Sequence, residues 1–179
     1  MDLGSCKKVV AGRAIALPHV REINWRTDRT AVLDFQTEIY ETNFPGFRMN
    51  QMFLKDYEQQ LRRALKHPGE YLVVLEDDDS SVCGFLWAAL ITTMVEPFVG
   101  YIKNIYVAPH LRGRGLGKLL LDTADEWFRS NGCTKASLDA SLCNTHAIDL
   151  YKAHGYVPVR YRMEKKYETW TSGPMGDEQ

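Results

Sequence analysis

The chain has 179 residues and a formal net charge of -1, with 45% of its residues hydrophobic and 25% charged. Those figures are ordinary for a soluble globular protein of one domain with a sizeable core, and nothing in the total points to nucleic acid or an anionic membrane. The longest apolar run, residues 82–95, is too short for a bilayer span and holds Thr92 and Thr93.

Residues 1–17 read as a lead-in segment without the continuous apolar core of a signal peptide. Residues 20–26 read as a first strand, and Thr27 and Asp28 offer N-caps. Ala31, Val32, Phe35, Ile39 and Tyr40 then recur at helical spacing. Asn43 to Phe47 breaks that helix with Pro45 and Gly46. A second helix is expected over about 51–66, carrying Phe53, Leu54, Tyr57, Leu61 and Leu65, and His67, Pro68 and Gly69 stop it. Residues 71–75 are a strand, 76–81 a polar turn and 82–89 a strand that pairs back as a hairpin. The acid run at Asp77 reads as a solvated turn.

A strand at 100–107 feeds a glycine-rich loop. The helix after the loop runs from about 115 to 130, with Leu116, Leu120, Ala124, Trp127 and Phe128 as its buried stripe. Asn131 and Gly132 stop it. Residues 135–140 form the next strand, parallel to the strand before the helix through a right-handed crossover. A short helix over about 145–154 ends at Gly155. Closing strands at 156–157 and 159–167, interrupted at Pro158, complete a domain of 18–167, and 168–179 is a polar tail. Cys6, Cys83, Cys133 and Cys143 show no metal or redox spacing, and the five histidines form no metal-like pair. The expectation is a metal-free protein with reduced thiols in a cytoplasm.

The chemistry concentrates at 107–120. Alternating Gly113, Gly115 and Gly117 let backbone N–H groups turn toward one point without Cβ interference. At a helix N-terminus such groups make an anion site, with the positive end of the macrodipole behind them. Arg112, Arg114 and Lys118 add mobile positive charge, so the physical reading is a diphosphate cradle. A Walker-type loop wants Ser or Thr after Gly-Lys, but Leu119 follows Lys118. A dinucleotide fingerprint wants Gly-x-Gly-x-x-Gly, and the spacing here is one residue too short, although Asp139 could mimic its ribose-binding acid. An ordinary glycine-rich turn is the bland alternative.

A third pattern, Val-x-Pro-x-x-Arg-Gly-x-Gly-x-Gly, matches at Val107, Pro109, Arg112, Gly113, Gly115 and Gly117. It resembles the acetyl-CoA loop of the GNAT acyltransferase superfamily. A second stretch resembles that superfamily's Asn-x-x-Ala-x-x-Leu-Tyr-x-x-x-Gly-Phe signature at Asn144, Ala147, Leu150, Tyr151 and Gly155, with Tyr156 in place of Phe. The two signatures cover about 100–156. The part before them fits the family's strand, two helices and hairpin but has no diagnostic residues.

The resemblance implies an α/β fold: a mixed, twisted central sheet of about seven strands, two central parallel strands splayed apart, and flanking helices. It implies that the loop residues Arg112, Gly113, Arg114, Gly115, Leu116, Gly117 and Lys118 hold the pyrophosphate of acetyl-CoA. Backbone groups of Ile105, Tyr106 and Val107 would bond pantetheine, one N–H polarising the acetyl carbonyl. Asn144 would contact pantetheine as well as capping its helix. Tyr151 lies seven residues later on the same helix face and would be the general acid facing the CoA sulfur. Its other reading is a packed core tyrosine. Asp139 would be the base, acting through water, or else a carboxylate capping the following turn. Glu38, Glu41 and Glu96 are weaker candidates. Tyr101 and Tyr106 are candidates to face an acceptor tunnel, although parity does not settle their faces in a strand that can carry a bulge.

The implied reaction is direct acetyl transfer to a primary amine in a ternary complex, since no cysteine falls at a matched site. The acceptor is a peptide α-amine, a lysine or a small amine, with a slight lean toward the first. A non-catalytic acyl-CoA-binding or sensor domain is the rival, and Tyr151 argues against it. No nucleic-acid or membrane partner is expected, and a homodimer is left open.

Overall fold

In the computed structural model, residues 18–165 are described. In chain order they form β1 (His19–Glu22), α1 (Trp25–Asn43), α2 (Gln51–Ala64), β2 (Glu70–Glu76), β3 (Val82–Ile91), β4 (Val99–Val107), α3 (Leu116–Ser130), β5 (Ala136–Leu138) and α4 (Thr145–Ala153). A single 3-10 turn, Pro109–Leu111, lies between β4 and the glycine loop. The sheet order is β1-β2-β3-β4-β5. The first four strands pair antiparallel and β4 pairs parallel with β5.

Two expectations about the sheet are corrected. It has five strands among the described residues, not about seven. Residues 156–165 are neither helix nor strand, and 166–167 lie outside the described residues. Val157, Val159, Tyr161 and Met163 alternate as a strand should, yet each is more than 70% exposed, so among the described residues no layer covers their apolar side. The lead-in 1–17 and the tail 168–179 also lie outside the described residues.

The first turn of α1 is a third correction. The strand ends at Glu22, and Asn24 is the N-cap, its side chain accepting from the Arg26 N–H at 3.1 Å. Asp28 lies inside the helix, 2% exposed, where it accepts two hydrogen bonds from the Arg21 guanidinium.

The sheet separates two cores. Val73, Leu75, Leu86 and Ile102 pack on Leu116, Leu120, Leu121, Ala124 and Phe128 of α3. Leu72, Val74, Phe85 and Trp87 pack on Val32, Tyr57 and Leu61 of α1 and α2. Each such side chain contributes roughly 1.5–3 kcal/mol when fully buried. The α3 stripe is the one its spacing implied, although Trp127 is only partly buried, stacked on Tyr71 with ring centroids 5.0 Å apart. Gly100 permits this close packing, because a Cβ there would lie 2.5 Å from the Phe128 ring.

Two irregularities shape β4. Trp87 pairs with Asn104 but Ala88 pairs with Ile102, so Lys103 is an extra residue in the ladder. This bulge puts Tyr101, Lys103 and Asn104 at one cavity on the α1–α2 side, while Tyr106 stacks on Phe35 of α1 at 4.5 Å. The ladder with β5 also stops early. Its pairs are Gly100 with Ala136, Tyr101 with Ser137 and Ile102 with Leu138, and β5 ends at Leu138 while β4 runs on to Val107.

Candidate active site

The loop after β4 brings left-handed glycines to an open helix N-terminus. Gly113 and Gly115 hold φ of +76° and +81°, a left-handed conformation that other residues adopt at a cost. A Cβ at either position would meet nothing within 4 Å, so the space above the loop is open. Gly115 is the N-cap of α3 and supplies no side-chain cap, which leaves the first N–H groups of the helix without one. Gly117 has a different task. A Cβ there would lie 2.9 Å from Leu150 Cδ2, so this glycine lets α4 sit against the first turn of α3.

The three cations of the loop are not equally mobile. Arg112 donates from Nε to the Val107 carbonyl at 2.9 Å and from Nη2 to Glu38 Oε1 at 2.6 Å, and lies over the Tyr106 ring at 5.6 Å. Lys118 pairs with Asp122 one turn along α3 at 2.7 Å. Among the described residues no carboxylate reaches Arg114, which is left as the uncommitted charge. Of the three cations, two are thus paired with carboxylates in this structure.

Ile105, Tyr106 and Val107 lie on β4 beyond its last pair with β5. Backbone groups of this stretch that do not face β3 therefore have no neighbouring strand on the other side. The Val107 carbonyl is already taken by Arg112. Tyr106 donates to Glu38 Oε2 at 2.6 Å, and burial together with that carboxylate pushes its phenol up to about 12.

Asp139 follows β5 by one residue and is exposed. It accepts from the Tyr101 hydroxyl at 2.8 Å, and no backbone N–H of the following turn donates to it among the described residues. Burial, then Asp139 itself, pushes the Tyr101 phenol up to about 12, so it stays a donor at neutral pH. The weaker candidates are engaged elsewhere: Glu41 with the Met49 N–H at 3.4 Å and Glu96 with Lys135 at 2.8 Å.

Asn144 caps α4, its Oδ1 accepting from the Ala147 N–H at 3.2 Å while Nδ2 donates to Asn43 Oδ1 on α1 at 3.1 Å. Both ends of its amide are thus in use. Tyr151 lies on α4 with its ring 6.1 Å from that of Tyr156 and packs on the α3 core. Burial pushes its phenol up to about 12, and its hydroxyl has no hydrogen-bond partner among the described residues.

Facing this group across β4 is a cavity of about 230 Å³ lined by Tyr40, Tyr57, Gln60, Trp87, Tyr101, Lys103 and Asn104. Of these the sequence reading placed Tyr40 and Tyr57 only on apolar helix stripes and missed Trp87, Lys103 and Asn104. A concentration of rings on α1, α2 and β3 was the available signal. Asn104 is 8% exposed and its Oδ1 is a buried oxygen with no partner, a condition that costs about 1–3 kcal/mol.

A mixed sheet whose parallel ladder ends early, with an uncapped helix behind a left-handed glycine loop, defines a class of α/β protein with a free helix end beside an unpaired strand edge. The family comparison makes this specific: residues 33–156 match the acetyltransferase (GNAT) family, and the chain belongs to it. The N-acetyltransferase YdgE of Bacillus subtilis (strain 168) is 30% identical over 112 residues, 62% of this chain and 69% of that one. The aminoglycoside N(6')-acetyltransferase type 1 of Klebsiella aerogenes is 33% identical over 61 residues, 34% of this chain and 40% of that one, so less than half of that relative is spanned. Among solved structures, an acetyl transferase of Pyrococcus furiosus superposes with a TM-score of 0.66 at 22% identity, over 83% of this chain and all of that one. That likeness is one of fold. No helix among the described residues is long and apolar enough to cross a membrane.

Proposed function

We propose that this protein transfers an acetyl group from acetyl-CoA to a primary amine by direct attack in a ternary complex. The observation that carries the reading is the conjunction of the open, uncapped N-terminus of α3 with the end of the β4–β5 ladder beside it. The first is chemically suited to a diphosphate and the second to an extended amide-bearing arm. Gly113, Arg114, Gly115 and the first N–H groups of α3 would hold the pyrophosphate. Backbone groups of β4 around Ile105 and Tyr106 would hold the arm. Acetyl-CoA supplies the acetyl thioester when bound.

The remaining work falls to this chain's side chains. The amine loses a proton as its nitrogen forms the new bond to the acetyl carbon. Asp139 would receive that proton, through Tyr101, which gives its own proton to Asp139 as it takes one, or through water; the Tyr101–Asp139 hydrogen bond supports the first route. The bond from the acetyl carbon to sulfur breaks, and Tyr151 gives the departing thiolate a proton. One proton is removed and one returned, so the balance closes. A phenol pushed up to about 12 is fully protonated at neutral pH, which suits the donor role. The acceptor enters from the cavity between α1, α2 and β4. A sensor domain that only binds acyl-CoA would need neither that cavity nor the Tyr101–Asp139 pair.

The test is a pair of measurements on the full chain: CoA affinity by calorimetry, and thiol release from acetyl-CoA across a panel of amines. Micromolar CoA binding with amine-dependent thiol release is the expected result. CoA binding without release from any amine, peptide or lysine substrate would favour the sensor reading.

A further inference from the structure

The helix that carries Tyr151 is thinly attached. None of the nine residues of α4 is buried among the described residues. Aiming one hydroxyl at a reacting atom demands more, because a misplacement of about 1 Å can cost about 100-fold in rate. The individual attachments of α4 therefore matter. At its start Asn144 is bonded to Asn43 of α1, and further along Leu150 sits against Gly117 of α3. At its end stands His154, the C-cap, whose backbone N–H donates to the carbonyls of Leu150 at 3.0 Å and Tyr151 at 3.1 Å.

The His154 side chain is only 9% exposed, and its Nε2 faces α3, 3.3 Å from Asp125 Oδ2 and 3.9 Å from Asp122 Oδ1. The imidazole also stacks on the Tyr156 ring, with centroids 6.3 Å apart, and Tyr156 in turn meets the Tyr151 ring at 6.1 Å. The Tyr156 N–H donates to the Tyr151 carbonyl at 2.9 Å. The histidine thus reaches Tyr151 by two routes, through the last turn of α4 and through the ring of Tyr156.

The charges around this imidazole are few. From α3 it meets Asp122 and Asp125, whose other partners are the solvated cations Lys118 at 2.7 Å and Arg129 at 3.3 Å. From its own helix and the segment after it come the phenols of Tyr151 and Tyr156, each pushed up to about 12 by burial and so neutral at pH 7. A protonated imidazole here is drawn to both carboxylates, and a cation at a helix C-terminus is favoured by the macrodipole as well. A neutral imidazole has neither attraction. Histidine is the side chain that exchanges these two forms between about pH 5 and 8.

Resting on the acetyltransferase reading, we infer that His154 is a positioning residue: protonated, it fastens the end of α4 to Asp122 and Asp125 of α3 and so aims the Tyr151 hydroxyl at the departing sulfur. Its effect on the reaction is exerted through Tyr151. Loss of its proton loosens the end of the helix, and proton transfer from Tyr151 becomes less efficient.

The test uses the full-length protein with acetyl-CoA and the amine that the parent turns over fastest, from about pH 5.5 to 9, a range that brackets histidine titration. His154→Gln should lower kcat roughly 10-fold at the acid end, while CoA affinity by calorimetry stays within about twofold. The ratio of parent to variant kcat should then shrink toward one as pH rises; titration of the amine itself cancels in that ratio. His154→Lys keeps a cation that does not titrate in this range, so it should hold parental kcat at the acid end and exceed the parent at the alkaline end. Asp125→Asn leaves the imidazole in place and should show the same acid-end loss, which keeps the inference exposed even where His154→Gln does not fold. A readout without turnover is NMR of ¹³C-labelled tyrosine: the Tyr151 ring signals should move between pH 6 and 8 in the parent and stay still in His154→Gln. A parent-to-variant ratio constant across pH, or a Tyr151 ring that does not move in the parent, overturns the inference and leaves the acetyltransferase reading standing. A parent that binds CoA but turns over no amine removes both.

Discussion

Arg112 Nη2 donates to Glu38 Oε1 at 2.6 Å, joining the glycine loop to α1 across 74 residues of sequence. The same carboxylate takes the Tyr106 hydroxyl on its other oxygen at 2.6 Å. The loop's first arginine is therefore partly neutralised by an acid that also borders the acceptor side. The pair is more than a third exposed on both sides, so its contribution to stability is about 0–1 kcal/mol. Its effect on an anionic ligand is the larger matter. Glu38→Gln should tighten CoA binding a few-fold at low ionic strength, because Arg112 is then unopposed. Arg112→Ala should weaken it modestly. Both effects should shrink as salt is raised, since the screening length falls to about 10 Å at 0.1 M and to about 3 Å at 1 M. Calorimetry at two salt concentrations checks this; weaker binding by Glu38→Gln would mean that the acid positions Arg112 and does not oppose the ligand.

The glycines of the loop should separate binding from turnover. Gly115→Ala forces a side chain into a left-handed conformation, costing about 1–2 kcal/mol of stability, and places a methyl in the open space above the helix end. CoA affinity should drop. Gly117→Ala instead presses on Leu150 Cδ2, the end of a side chain next to Tyr151. It should shift α4 by a few tenths of an ångström and lower kcat with CoA affinity little changed. Equal losses of affinity in both variants would contradict this division.

Much of this arrangement was readable from residue types, and the failures have physical causes. The α3 stripe and the loop glycines obey local rules of period and backbone freedom, so they appear in the chain itself. The bulge does not. Nothing in Tyr101 to Tyr106 marks Lys103 as the extra residue, because the cause is the register against Trp87 and Ala88 on β3. Without it, strict alternation would set Tyr101 and Tyr106 on opposite faces, and the cavity wall would be lost. Gln36 lies one turn from both Val32 and Tyr40 on the α1 stripe, and only its polar type hides its burial, which bonds with Asn104 and the Val32 carbonyl make possible. Residues 156–165 show the opposite failure, a strand pattern that no partner strand or covering layer completes among the described residues.

Asp28 should contribute to the acid stability of the N-terminal half. Burial raises its carboxyl, but hydrogen bonds from Arg21, the Asn24 N–H and the Thr27 hydroxyl outweigh that and hold it below the ordinary range. A folded pKa below the unfolded one stabilises the protein above the unfolded value, about 3.9, and that stability is lost as pH falls through the folded value. Asp28→Ala should destabilise by the lower part of about 3–5 kcal/mol, because Arg21 keeps Glu76 as a partner. The variant should also lose less stability than the parent between neutral pH and pH 3. Denaturant unfolding at several pH values measures both; parallel curves for parent and variant would remove Asp28 from this role.

Tyr101 and Asp139 should act together if the amine's proton passes between them. Asp139→Asn keeps an acceptor for the Tyr101 hydroxyl but is not a base. Tyr101→Phe keeps the ring and removes the link. Each should lower kcat by a similar factor, and the double variant should lose little more than either alone, the mark of residues working as a unit. Additive losses would mean that Asp139 acts through water without Tyr101. Unchanged turnover in Asp139→Asn would leave it as the structural partner of Tyr101.

Tyr151 offers the sharpest separation of packing from chemistry. Its ring fills space against the α3 core and beside Tyr156, while its hydroxyl makes no hydrogen bond among the described residues. Tyr151→Phe should therefore melt within a degree or two of the parent, since no folded-state hydrogen bond is lost. It removes the proposed proton donor to the departing thiolate. General acid catalysis contributes about 10²–10⁴-fold, so kcat with an accepted amine should fall in that range. CoA affinity should change little, because the donated bond forms only as the sulfur gains charge. The pH profile adds a second readout. With the phenol pushed up to about 12, its protonated form persists to well above pH 10, so the parent's activity should show no alkaline fall below that pH attributable to this residue. A Tyr151→Phe enzyme with parental kcat and tenfold weaker CoA binding would show that the hydroxyl only grips the donor, and the source of the thiol's proton would lie elsewhere.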